Sequence, residues 1–137
     1  MGKKKKVRLD PDNKNSFSKI PSAQSSDSIS PNEDIKIIVS LKEFDVKTLK
    51  KLDPKEEQMF LDKLYKISQS SWRTANVSGR HKGGSEKITK HNLTYPILKG
   101  ENLIAFRCIA KKPLLGFRKK NTFIAVHFDY NMKAYDH

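Results

Sequence analysis

Four groups of residues in this chain are of types that bind phosphate or move protons. The densest is Gly79-Arg80-His81-Lys82-Gly83-Gly84-Ser85-Glu86-Lys87. Glycines let backbone amides approach a phosphate, and Arg80, His81 and Lys82 in succession add charge and a titratable donor. Gly79 and Gly84 have the spacing of a Walker A loop, but Ser85 stands where its lysine belongs, so the segment is not one. The plain alternative is a solvated loop. The second group is Arg107, between Phe106 and Cys108, with Arg118 on the strand that follows. A guanidinium in mid-strand must reach solvent or a partner. Two arginines on neighbouring strands can clamp a phosphate through paired N–H donors, while a salt bridge from Arg107 to Asp129 or Glu101 is the structural alternative. The third group is Tyr135-Asp136-His137, either a proton-transfer cluster or a frayed end. The fourth is the set of cations that would track a nucleic-acid backbone: Arg80, Lys82, Lys87, Lys111, Lys119 and Lys120. His127, alternating with Phe123 and Ala125, reads as a structural histidine.

Together these types suit RNA cleavage by the RNA's own 2′-hydroxyl. That reaction needs a group to take the hydroxyl proton, cations to stabilise the phosphorane and a donor for the 5′-oxygen, and His, Tyr, Lys and Arg can fill all three roles. The competing chemistries lack their residues. His81, His91, His127 and His137 show no HxxxH or HxH spacing, and Glu86, Glu101, Asp129 and Asp136 are scattered where a two-metal nuclease needs clustered carboxylates. No nucleophile-elbow motif supports a serine hydrolase. The expectation is a site with neither metal nor small-molecule cofactor.

Charge supports an anionic partner. The chain has 137 residues, room for one domain, and a formal charge of +13. Residues 1–30 carry +4, residues 31–72 none and residues 73–137 +9, which reads as a neutral scaffold followed by a basic working face. No apolar run is long enough to span a bilayer, the basic N-terminus lacks the apolar segment of a secretory signal, and the single Cys108 allows no internal disulfide. A soluble, cytoplasmic chain with no membrane partner is expected.

The elements that must position these groups begin after a boundary near residue 34. Residues 1–34, with Lys3-Lys4-Lys5-Lys6 and a Ser-rich stretch from Ser22 to Ser30, hold too few apolar residues to offset ordering entropy and read as a basic, Ser-rich disordered tail. It is either an electrostatic arm or a solubilising extension. Ile35, Ile37, Val39 and Leu41 alternate as one face of a strand. Asp45 caps a short helix through Leu52. Asp53-Pro54-Lys55-Glu56 is a capping box with Pro in the first turn, opening a helix to about Ser68 whose stripe is Phe60, Leu64 and Ile67 with Leu61 and Tyr65. Trp72 then anchors the helix end in the core. A long loop spans 76–102. Strands follow at Asn102 to Ala110, Leu114 to Arg118 (after a break at Lys112-Pro113) and Thr122 to Phe128, leaving Lys133 to His137 as a last strand or a tail. The class is α+β: an N-terminal strand and two helices packed on an antiparallel sheet of about four strands.

Over residues 35–137 the chain resembles the RelE/HigB/ParE superfamily of toxins from type II toxin–antitoxin systems. The resemblance rests on Trp72, on Gly79-Arg80-His81-Lys82 with Glu86-Lys87-Ile88, on Phe106-Arg107, on Gly116-Phe117-Arg118, and on Phe123 to Phe128 running to Asp129 and Tyr135-Asp136-His137. It implies a RelE-like toxin domain acting as a metal-independent endoribonuclease on mRNA, in some members on the ribosome, and silenced by an antitoxin protein. Arg107, Arg118, Tyr135 and His137 match that family's site in kind, and Arg80, His81 and Lys82 more loosely. On that reading Arg107, Arg118 and Lys82 hold phosphate, His81 or His137 is the acid or base, and Tyr135 orients the nucleotide. The basic tail and the 76–102 loop depart from the family. A non-catalytic nucleic-acid or ribosome binder and a ParE-like gyrase inhibitor stay open as alternatives.

Overall fold

The computed structural model of the chain describes residues 34–79 and 83–137. The tail reading therefore lies outside the described residues except for Asp34, and so do Arg80, His81 and Lys82. The order is β1 (Ile38–Ser40), α1 (Pro54–Gln69), α2 (Trp72–Ser78), β2 (Ser85–Ile88), β3 (Leu103–Ile109), β4 (Lys112–Lys119) and β5 (Thr122–Phe128), with 3-10 turns at Val46–Leu49 and Pro96–Leu98. The strands form one sheet ordered β1-β5-β4-β3-β2. Its pairs are antiparallel except β1 with β5, which is parallel.

The α+β class is as expected, but the details differ from the sequence reading in ways with physical causes. The sheet has a fifth strand because Ser85-Glu86-Lys87-Ile88 pairs with Leu103–Phe106. Four residues, two of them charged, are too short to show an alternation. The 76–102 stretch is thus not one loop. The second α-helix is α2, begun by Ser71, whose side chain accepts from the Thr74 N–H, whereas Asp45 caps only a 3-10 turn. The capping box at Asp53 and Glu56 forms as expected, at 2.8 and 3.1 Å. Phe60 and Ile67 are buried by α1, but Leu61 and Tyr65 are 58% and 65% exposed, on the helix's outer side. In β1 and the residues on either side of it, Ile37 and Val39 face the core while Leu41 turns out to solvent.

Both faces of the sheet are covered. One packs against the helices through Phe60, Ile67, Trp72, Phe106, Leu114, Phe123 and Phe128. The other buries Leu103, Ala105, Leu115, Phe117 and Val126 beneath Leu98 and Ala134, which come from the 3-10 turn at 96–98 and the C-terminal segment. Pro113 does not break β4. It lies opposite Arg107 beside a register irregularity between Arg107 and Ile109, where a missing N–H is tolerated. The turn falls instead at Ala110, with φ +54°. Gly116 is required by close approach: a Cβ there would run into the Ile124 carbonyl oxygen and stand 2.9 Å from Ala125 Cα. Beyond Ile124 the edge of β5 is finished by the first 3-10 turn, Asp45 N–H donating to the Val126 carbonyl and Phe128 N–H to Thr48 Oγ1.

Candidate functional site

Two β-bulges decide which side chains share a face. Arg107 keeps the parity of Leu103 and Ala105, on the face away from the helices, but Ile109 beyond the irregularity joins the helix-side core. On β5 the register shifts between Leu115 and Gly116: Gly116 pairs with Ala125 and Leu115 with His127, leaving Val126 extra. His127 is thereby moved off the face of Phe123 and Ala125 and onto that of Leu115. A bulge inserts one residue and reverses the parity of all that follow. Two cross-strand rows result on the face away from the helices. One runs Glu86, Ala105, Leu115, His127. The next runs Arg107, Pro113 and Asp129, whose N–H donates to the Pro113 carbonyl.

Asp129 organises the C-terminal segment. It is 4% exposed, and its carboxylate accepts from the backbone N–H groups of Lys133 (3.0 Å) and Ala134 (2.9 Å). The same carboxylate lies 3.7 Å from His137 Nε2, and the His137 ring stacks on Tyr135 with centroids 4.1 Å apart. Asn92 ties the segment from the other side, its N–H donating to the Ala134 carbonyl and its side-chain amide to that of Lys133. The Tyr-Asp-His end is thus neither a strand nor frayed. It is a docked segment that brings Tyr135 and His137 to the face carrying Arg107.

Arg118 is elsewhere. It has the helix-side parity, its guanidinium carbon 4.3 Å from the centroid of the Trp72 ring and its Nε donating to the Lys120 carbonyl. It lines a cleft of about 300 Å³ with Trp72, Asn76, Lys87 and Ile104. The sheet separates it from Arg107, so the two arginines cannot clamp one phosphate; the pairing expected from adjacent strands fails on parity. The salt bridges considered for Arg107 are not made either. Glu101 pairs with Lys119 Nζ at 2.8 Å, which also ties down Lys119, and Asp129 is engaged as described. Lys111 is exposed at the β3–β4 turn, Lys120 sits in the β4–β5 turn with φ +58°, and Lys87 is exposed on β2.

A hydrogen-bonded chain absent from the sequence reading completes this face. Tyr95 Oη donates to Asp45 Oδ2 at 2.8 Å and lies 2.8 Å from His127 Nδ1. The phenol has one proton and the carboxylate takes it, so the second contact is the Nδ1–H of His127 donating to the phenol oxygen. Burial holds His127 below its ordinary pKa, against the opposing pull of Asp129 and Asp45. The Tyr95 hydroxyl holds the Asp45 carboxyl below its usual range, while burial and Asp45 push Tyr95 far up. His127 also lines a cleft of about 200 Å³ with Lys47, Lys50, Lys51, Tyr130 and Asn131. Lys51 and Lys112 lie over the Tyr130 ring at 6.0 and 5.0 Å.

No family model, curated protein or solved structure matches the chain. Its function must be argued from the site itself.

Proposed function

We propose that the chain is an endoribonuclease that cleaves mRNA without a metal, of the kind its resemblance to RelE/HigB/ParE toxins implies, and that an antitoxin protein neutralises it. The observation that carries the reading is the Asp129 arrangement: one buried carboxylate fixes the C-terminal segment so that His137 and Tyr135 stack beside each other on the face that carries Arg107. In this reading the 2′-oxygen attacks the adjacent phosphorus and the bond to the 5′-oxygen breaks. Arg107 offsets charge on the phosphorane, His137 transfers a proton and Tyr135 orients the nucleotide. Arg118, with Lys87 on the helix side, then has a role in holding the strand and not in the reaction.

The test is RNA integrity in a translating cell-free extract given purified protein, beside naked RNA with EDTA. Discrete fragments that survive EDTA are expected, with 2′,3′-cyclic phosphate ends, and the lane that shows them gives ribosome dependence. His137→Ala and Arg107→Ala should each lose about 100-fold or more in rate. Intact RNA in both lanes, from protein shown to be folded, overturns the reading and leaves a nucleic-acid binder or a gyrase inhibitor.

A further inference from the structure

Cleavage by the 2′-hydroxyl has two proton transfers, and the reading above supplies a group for one. The rest of the face offers a second imidazole. His127 stands two residues before Asp129, whose charge favours its protonated form, and His137 Nε2 lies 3.7 Å from the same carboxylate. Its Nδ1–H is given to Tyr95, itself bonded to Asp45. That leaves Nε2 carrying a lone pair, with no hydrogen bond among the described residues. His127 lines a cleft whose wall is cationic: Lys47, Lys50 and Lys51 come from the 3-10 turn and the residues after it.

We infer that His127 is the general base of this site, its Nε2 taking the 2′-hydroxyl proton of an RNA strand whose phosphates lie along the Lys47, Lys50 and Lys51 cleft, with Tyr95 and Asp45 as positioning residues. The inference rests on the ribonuclease reading. The base must hold its lone pair on the nitrogen that meets the substrate, and a donor–acceptor contact at the other nitrogen selects that tautomer. Tyr95 does so while Asp45 keeps the phenol proton turned away. As O2′ bonds to phosphorus, its proton passes to His127. As the bond to O5′ breaks, His137 delivers a proton to it, leaving a 2′,3′-cyclic phosphate and a 5′-hydroxyl. One imidazole ends protonated and the other neutral, and exchange with water resets both. The charged and titratable groups beside His127 are Asp45, Tyr95, Asp129, Lys47, Lys50, Lys51 and Tyr130.

The experiment is the pH profile of single-turnover cleavage for wild type, His127→Ala and Tyr95→Phe. His127→Ala is expected to lose about 100-fold or more. Tyr95→Phe is expected to lose about tenfold in the saturating single-turnover rate with the half-saturating concentration unchanged, and to shift the acid limb of the profile. Phe retains the ring's packing, so a merely structural role for Tyr95 would leave that limb in place. Nitrogen-15 NMR of the wild-type histidines is the companion measurement and needs no variant to fold; it should give His127 as the Nδ1–H tautomer. Cleaving wild type with an unmoved Tyr95→Phe profile, or with His127 protonated on Nε2, overturns this inference alone. A folded wild type that cuts no RNA overturns the ribonuclease reading and this inference with it.

Discussion

Removing the Asp129 carboxylate should undo the C-terminal segment, and the structure sets the size of the effect. In Asp129→Ala two backbone N–H groups, those of Lys133 and Ala134, lose the acceptor they hold at 3.0 and 2.9 Å. The site is 4% exposed, so water does not replace the carboxylate unless the segment lifts away. Each orphaned donor costs about 1–3 kcal/mol. If the segment lifts instead, the burial of Ala134 and the packing of Tyr135 on the sheet are lost, a penalty of similar size. Either route predicts a loss of about 2–5 kcal/mol. With a urea slope of about 1–2 kcal/mol per molar for a domain of this size, the unfolding midpoint should fall by about 2 M. Asp129→Asn should lie between, because an amide offers one acceptor to a pair of donors and turns an NH₂ toward the other. Midpoints within about 0.3 M of wild type for both variants would refute the assignment of Asp129 as the anchor of this segment.

Three further perturbations test other parts of the structure. Gly116→Ala places a Cβ against backbone atoms of β5, which cannot move without breaking the sheet; a loss of at least about 3 kcal/mol is expected in urea unfolding, and near-neutral behaviour would deny the close approach. Cys108, pushed up to about 12 by burial, should react with iodoacetamide at pH 8 about a thousandfold more slowly in the folded protein than in urea, and equal rates would refute its burial. His127 has its folded pKa below the unfolded 6.5, so just below pH 6.5 the unfolded chain binds more protons and stability falls as pH drops. His127→Gln should flatten part of that fall between pH 7.5 and 5.5, and unfolding midpoints that drop equally for both proteins would count against it.

What could be read from the sequence was local. The capping box at Asp53 and Glu56 needs only neighbours, and β3 and β5 lie within a residue of their expected spans because their apolar residues alternate or fill both faces. What was hidden depended on register. Counting by twos puts His127 with Phe123 and Ala125, and the adjacency of their strands alone suggests that Arg107 and Arg118 can meet; one extra residue at Val126 reverses the first conclusion, and the five-residue offset from Pro113, the partner of Arg107, to Arg118 undoes the second. The Asp45, Tyr95 and His127 chain joins residues 50 and 32 positions apart. Asp45 carried a capping signal and Tyr95 no signal, so no spacing rule could have joined them. Tyr135 and His137 were legible as chemistry, but their fixing by Asp129 was not.

The parallel pairing of β1 with β5 has a consequence for the order of assembly. The β3, β4 and β5 meander forms through short turns, whereas Ile38 finds its partner only at Thr122. A contact closed over so long a stretch of chain carries a large entropic cost and comes after the local ones. Of the described strands, β1 is synthesised first and is therefore expected to be seated last, arriving with α1 on a meander already formed. Substitutions that weaken Ile37 or Val39 should quicken unfolding and leave the refolding rate almost unchanged, whereas those in the β4–β5 hairpin should slow refolding itself.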